Sequence, residues 1–153
     1  VNTPGLAHVA YAEAIVAVKA ILGENPLPVD YVNVPFIVYA HPEIAWVGLS
    51  EEDCKEQGIE YEVHKHPWPG NGRSMIIGET EGIFKVIAKP NDGPIIGFHL
   101  CGPWASELMN SGYYAVNWEA SPSDVAHLIH AHPSLSELIG ETMITFSGRS
   151  LHG

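Results

Sequence analysis

The stretch IFKVIAKPNDGPIIGFHL, residues 83–100, decides the fold, because two runs of β-branched and aromatic residues flank a turn. Residues 83–89 and 95–100 each have the composition of a strand. The Pro90-Asn91-Asp92-Gly93 sequence between them is typical of a tight hairpin turn. Residues 35–39, 44–49 and 59–66 also read as extended segments, so we expect the hairpin to belong to a larger antiparallel sheet.

Downstream of Leu100 the apolar residues change to helical spacing. Three apolar stripes follow one another: Ala105, Leu108, Met109, Gly112, Ala115 and Val116; then Val125, Leu128 and Ile129; then Leu135, Leu138, Ile139, Met143 and Phe146. A short helix is also predicted between a capping Ser50 and Gly58, and residues 67–72 are predicted to be a loop. Strands followed by helices predict an α+β fold, an antiparallel sheet with helices packed on one face.

The N-terminal part predicts a separate unit. Small apolar residues recur at helical spacing over residues 6–22, and residues 25–35 then carry three prolines, which is typical of a linker. We therefore place a domain boundary near Asp30, with residues 1–30 before it and 31–153 after it. Because the sequence opens with Val1 and not Met, we expect it to be a piece of a longer chain.

Composition disfavours several classes of partner. Seven Lys and Arg against 18 Asp and Glu give a formal net charge of −11, which repels nucleic acids and anionic membranes. Cys54 and Cys101 form no C-x-x-C pair and fit a reducing compartment, so we expect the cytoplasm, or the mitochondrial matrix in a eukaryote. The sequence contains no glycine-rich dinucleotide fingerprint, phosphate loop or nucleophile elbow.

Titratable residues concentrate in HLIHAHPSLSE, residues 127–137. His132 precedes a proline, which disfavours helix and makes a cis peptide bond inexpensive. Histidine can act as a general base when a carboxylate fixes its tautomer, and Glu137 is near enough in sequence to do so. However, Ser134-x-x-Glu137 is also a capping-box pattern, and spacing alone favours that interpretation. A zinc site formed by the three histidines is disfavoured, because no cysteine joins them and the proline interrupts a helical ligand face.

Five segments together resemble the flavin disulfide reductases, and within that family the dihydrolipoyl dehydrogenases. The segments are GLAHVA at 5–10, HPEIAWVGL at 41–49, GETEG at 78–82, GPWASEL at 102–108 and HAHPSLSE at 130–137. The last is the most specific, since it looks like the histidine and glutamate dyad of the family; Ser134 stands where threonine is usual. The resemblance spans nearly the whole chain and is to the C-terminal interface domain.

The resemblance implies site residues, cofactors and partners. The histidine matching His132 would accept a proton from a dithiol at the partner subunit's redox disulfide, and the glutamate matching Glu137 would orient it. Residues matching Gly5, Leu6, Ala7 and His8 would lie near the flavin, and the peptide at Pro133 would reach the flavin of the other subunit. FAD and NAD would be held mainly by domains upstream, so this chain alone would be inactive.

The implied assembly is a homodimer that serves the lipoyl domains of 2-oxo acid dehydrogenase complexes or of the glycine cleavage system. The full enzyme would oxidise dihydrolipoamide and pass electrons through the disulfide and FAD to NAD. Two alternatives stay open: a glutathione-reductase-like enzyme, and a free-standing dimerisation module without enzymatic activity. Leu135 and the His130-Ala131-His132 lead-in favour the lipoyl enzyme.

Overall fold

A computed structural model describes residues 3–150 of the chain. The strands are β1 (Phe36–Val38), β2 (Glu43–Gly48), β3 (Glu62–Pro67), β4 (Ile83–Ala88) and β5 (Ile95–Gly102). The α-helices are α1 (Ala7–Ile21), α2 (Glu51–Gln57), α3 (Gly72–Ile77), α4 (Ala105–Asn117), α5 (Pro122–Ala126) and α6 (Glu137–Thr145). A short 3-10 turn, Trp68–Gly70, separates β3 from α3. The strands form one antiparallel sheet in the order β1-β2-β5-β4-β3, and the predicted α+β class is confirmed.

The predicted hairpin lies near the centre of the sheet. Phe84 pairs with Leu100 and Val86 with Phe98, and their side chains form the core. In the connecting turn Asn91 and Asp92 adopt left-handed φ angles of 59° and 57°. Asn and Asp tolerate this conformation better than most residues, which explains their place in the turn.

Helices α4 and α6 pack on the sheet and bury the hairpin's apolar face. Gly112 of α4 lies against the ring of Phe98, so the absence of a side chain there permits close packing of helix on sheet. The opposite face of the sheet carries Lys85, whose Nζ lies 3.1 Å from the Glu51 carboxylate at the start of α2. The short helix α2 therefore contacts the face that α4 and α6 leave open.

The structure corrects two predictions. Residues 67–72 were expected to form a loop, but they contain the 3-10 turn and lead directly into α3, which the sequence analysis missed. The stripe of Val125, Leu128 and Ile129 does not exist as predicted: α5 ends at Ala126, and Leu128 and Ile129 are 62% and 100% exposed. Only Val125 reaches the core, because a five-residue helix is too short to place all three side chains on one face.

Helix α1 begins and ends close to the predicted bounds and contacts the segment that follows it. The His8 ring nitrogen Nε2 lies 2.9 Å from the Pro35 carbonyl, and the Tyr31 hydroxyl donates to Glu13 at 2.9 Å. Val9 is buried, whereas Ile15 and Val18 are exposed. None of the helices within residues 3–150 has the length and apolar character required to cross a membrane.

Candidate functional site: the His132–Glu137 pair

His132 lies in the loop between α5 and α6. The His132–Pro133 peptide bond is cis. The His132 side chain is 78% exposed, and Pro133 is exposed as well. Two residues further on, Leu135 is buried in the core, so this loop presents an accessible imidazole from an anchored backbone.

Glu137, the first residue of α6, holds this loop through both of its carboxylate oxygens. Its Oε1 lies 2.8 Å from His132 Nδ1, and its Oε2 accepts the Ser134 backbone N–H at 2.8 Å. The side chain is 17% exposed, so it is far less solvated than the histidine. Spacing alone favoured a capping box over a histidine pair. The structure contains only half of that box, because Glu137 Oε2 accepts the Ser134 N–H but no side chain caps α6, and the other carboxylate oxygen binds the ring.

This geometry fixes the tautomer of His132. A carboxylate only accepts hydrogen bonds, so His132 Nδ1 carries the proton and donates it to Glu137. The other ring nitrogen, Nε2, is then the one that can accept a proton. The pair can therefore act as a general base toward a group that approaches from solvent, and the carboxylate would stabilise the imidazolium formed.

The other histidines of the cluster have different contacts. His127 Nδ1 lies 2.6 Å from the Ser123 carbonyl, at the end of α5. The ring of His130 packs against Gly140 of α6; burial lowers its pKa, and the nearby charge of Glu137 partly opposes that shift. Across residues 3–150, no three His, Cys, Asp or Glu side chains are grouped as metal ligands.

Two further histidines lie on β3, where the sequence places them at alternate positions. His64 Nδ1 lies 2.7 Å from the Thr145 hydroxyl, and His66 Nε2 lies 3.4 Å from the Glu141 carboxylate. Both partners belong to α6. These histidines therefore connect the edge strand to the helix that carries Glu137.

Asn71 contacts the candidate site, although the sequence pattern did not predict it. It is the N-cap of α3, where its Oδ1 accepts the Ser74 N–H at 3.0 Å. Its Nδ2 donates to the Ser134 carbonyl at 2.9 Å and so contacts the His132 loop from a distant part of the chain. An N-cap residue followed by Met75, Ile76 and a C-terminal Gly78 was the available signal for this helix.

The residues expected near a flavin lie on a different element. Gly5, Leu6, Ala7 and His8 form the entry to α1, with Leu6 at the N-cap position. Gly5, Ala7 and His8 are exposed. The first-turn amides of this helix provide a partial positive charge toward solvent, which suits an anionic group.

Both cysteines are free thiols in the structure. Cys54 is buried in α2, and burial raises the pKa of its thiol, reinforced by the charges of Asp53 and Glu51. A raised pKa disfavours the reactive thiolate. Cys54 is therefore poorly suited to thiol exchange, and the candidate site in this chain is the His132–Glu137 pair.

Comparison with known proteins identifies relatives over nearly the whole chain. The dihydrolipoyl dehydrogenases of dog (Canis lupus familiaris) and human mitochondria are each 41% identical over 150 residues, which cover 97% of this chain and 29% of theirs. This chain thus spans less than a third of the length of those relatives.

Similar solved structures and a matching family model agree with these relatives. The crystal structure of LpdA from Mycobacterium tuberculosis has a TM-score of 0.85 and 28% identity, covering 91% of this chain and 30% of that one. The flavoprotein disulfide reductase RclA of Escherichia coli shares the fold with a TM-score of 0.84, at 24% identity over 91% of this chain and 32% of its own. Residues 34–143 match the dimerisation domain of pyridine nucleotide-disulphide oxidoreductases, and the chain belongs to that family.

Proposed function

We propose that this chain is the C-terminal part of a dihydrolipoyl dehydrogenase and supplies the acid/base pair for oxidation of protein-bound dihydrolipoamide. The observation that carries the proposal is the 2.8 Å contact between His132 Nδ1 and Glu137 Oε1, together with the exposure of the ring. The name of the relatives at 41% identity supports the lipoyl enzyme over a glutathione-reductase-like one.

The proposed chemistry is a proton transfer. His132 Nε2 accepts the proton of a dithiol, and the thiolate formed is the species competent for disulfide exchange. Glu137 accepts the Nδ1 hydrogen bond throughout and balances the positive charge that develops on the ring. In the reverse direction the imidazolium returns the proton to the leaving thiolate.

The cofactor residues proposed for FAD are Gly5, Leu6, Ala7 and His8, with the peptide at Pro133 acting toward the flavin of a second subunit. Exposed amides at the start of α1 support a contact with the electron-rich part of the flavin. When bound, FAD supplies the redox centre between the dithiol and NAD. Residues 1–30 would then belong to the flavin domain and 31–153 to the interface domain, with most of the FAD and NAD contacts made upstream.

A second copy of the chain is the proposed partner across the helical layer. Trp118, at the end of α4, is 77% exposed, its ring stacks on that of Tyr114, and Tyr114 and Leu128 are exposed as well. Tyr114, Trp118 and Leu128 border an apolar groove of about 410 Å³ that Phe98 also lines. Contiguous exposed aromatic and aliphatic side chains are characteristic of obligate interfaces, so this surface supports a homodimer.

Lipoyl domains in a reducing compartment, cytoplasmic or mitochondrial, would be the substrates.

The test uses the full-length flavoenzyme that carries this chain. His132→Gln is expected to reduce dihydrolipoamide oxidation by about 100- to 10,000-fold, the range typical for loss of a general base. Hydride exchange between NADH and the flavin should stay unchanged, because it does not use this base. His127→Gln is the matched control, since that histidine is also exposed and lies in the same loop region. Full turnover in His132→Gln would refute the proposed function.

A further inference from the structure

We propose that Asn71 is a positioning residue for the His132–Glu137 pair. The inference rests on the proposed function, because it assigns a task to Asn71 within the same site. Asn71 does not touch the imidazole; it acts through the backbone of Ser134, to which it donates a hydrogen bond of 2.9 Å.

Asn71 is held in one orientation by its own surroundings. The residue is 1% exposed. Its Oδ1 accepts the Ser74 N–H at 3.0 Å, and its backbone N–H donates to the Trp68 carbonyl at 3.0 Å. Turning the amide over would place its NH2 group against the Ser74 N–H, a donor facing a donor. The Nδ2 donor is therefore directed at the Ser134 carbonyl.

Ser134 receives restraints from two directions. Its carbonyl accepts from Asn71, and its N–H donates to Glu137 Oε2 at 2.8 Å. The other oxygen of that carboxylate binds His132. A continuous series of hydrogen bonds thus runs from the amide of Asn71, through the backbone of Ser134 and the carboxylate of Glu137, to the imidazole.

This support matters because the imidazole has little packing of its own. With 78% of its side chain exposed, His132 depends for its position on Glu137 and on the backbone that follows it. A general base must be held to within about 0.5 Å of its productive geometry, and errors of about 1 Å cost orders of magnitude in rate. Asn71 connects the loop to the buried start of α3, where Ser74 is also fully buried.

The experiment separates positioning from helix capping. In the full-length flavoenzyme, Asn71→Ser keeps a good N-cap acceptor for Ser74, but its side chain is too short to reach Ser134. We expect the rate constant for dihydrolipoamide oxidation to fall about 5- to 50-fold, with little change in KM. NADH-to-flavin hydride exchange should keep its rate. Ser50→Ala, which removes the N-cap of the distant helix α2, is the control and should leave both rates unchanged.

A double-mutant cycle with Glu137→Gln supplies the decisive readout. If Asn71 acts through Glu137, replacing Asn71 in the Glu137→Gln enzyme should slow dihydrolipoamide oxidation by less than about twofold further, because the effects of interacting residues are not additive. If Asn71→Ser yields no folded enzyme, the nearly isosteric Asn71→Asp, which also caps α3 but places an oxygen against the Ser134 carbonyl, takes its place.

Two outcomes overturn the inference: a wild-type rate in the Asn71 variants, or full multiplication of the two effects in the double mutant. Failure of the proposed function is recognised separately, because it is marked by full turnover in His132→Gln. An inactive His132→Gln enzyme combined with fully active Asn71 variants would remove only the role of Asn71.

Discussion

Replacing Glu137 by Gln should slow dithiol oxidation and destabilise the loop at the same time. The carboxylate accepts from two donors, the His132 Nδ1–H and the Ser134 N–H. Glutamine has only one acceptor oxygen, so one of these donors would face an NH2 group. If the ring adapts by moving its proton to Nε2, it loses the lone pair that a base needs.

The size of the effect follows from the kind of hydrogen bond that is lost. A hydrogen bond to a charged group contributes about 1.5–3 kcal/mol. Because the imidazole is mostly exposed, solvent screens the interaction and the lower part of that range applies, about 1.5–2 kcal/mol. At roughly 1.4 kcal/mol for each factor of ten, dithiol oxidation should slow about 10- to 30-fold. The unfolding free energy should fall by about 1 kcal/mol, because one of the two donors is left facing an NH2 group.

The assay is single-turnover reduction of the full-length flavoenzyme by dihydrolipoamide, combined with denaturant unfolding. Asp53→Asn is the matched control, because Asp53 accepts the Ser50 N–H at 2.8 Å in the capping box of α2, away from the pair. It should change stability but not the rate. If Glu137→Gln changed only stability, as Asp53→Asn should, then Glu137 would be a cap and the orienting role would be refuted.

Three further predictions concern the domain as a whole. In sedimentation at tens of micromolar, the isolated chain should be a dimer and the Trp118→Glu variant a monomer. Tyr39→Glu, which changes a similarly exposed aromatic residue, should leave the dimer intact. A monomeric wild-type chain would contradict the proposed interface. Burial lowers the pKa of His99 in the folded state below its ordinary 6.5. As the pH falls through 6.5, the unfolded state therefore binds more protons than the folded state, and the folded state loses stability. The difference between the unfolding free energies at about pH 7.5 and about pH 5.5 should therefore be smaller in His99→Gln than in the wild-type chain. An unchanged difference would contradict this role of His99. Gly112→Ala should lower the unfolding free energy by about 1–3 kcal/mol, because a methyl group would overlap the Phe98 ring; a neutral result by thermal or urea unfolding would show that the helix can shift.

The parts of the fold predicted correctly are those fixed by local chemistry. The hairpin followed from strand-forming residues around Asn91 and Asp92, both of which adopt left-handed backbone conformations in the turn. The helix between Ser50 and Gly58 followed from its caps, and the structure contains a full capping box and a left-handed C-cap there. Such signals need only a few neighbouring residues.

The failures occur where long-range contacts decide the structure. Leu128 and Ile129 continue a helical apolar pattern, yet the chain leaves the helix at His127 and packs the His130 ring against Gly140. Helix α3 was not predicted because its six residues, Gly72–Ile77, are too few for a periodic pattern to be visible. The contact between Asn71 and the His132 loop joins residues 63 positions apart, a distance at which sequence patterns carry no information.

Glu137 shows why spacing alone could not decide between a cap and a base partner. The bond from Ser134 N–H to Oε2 spans three residues, the spacing of a capping box, so the local pattern predicts it. The bond from His132 to Oε1 spans five residues and depends on a loop in which Leu135 is buried and Ser134 is held by Asn71. The local bond leaves one carboxylate oxygen unused, and the tertiary fold brings the imidazole to that oxygen. The two interactions do not compete, and the capping bond itself holds the carboxylate at the angle from which it orients the histidine.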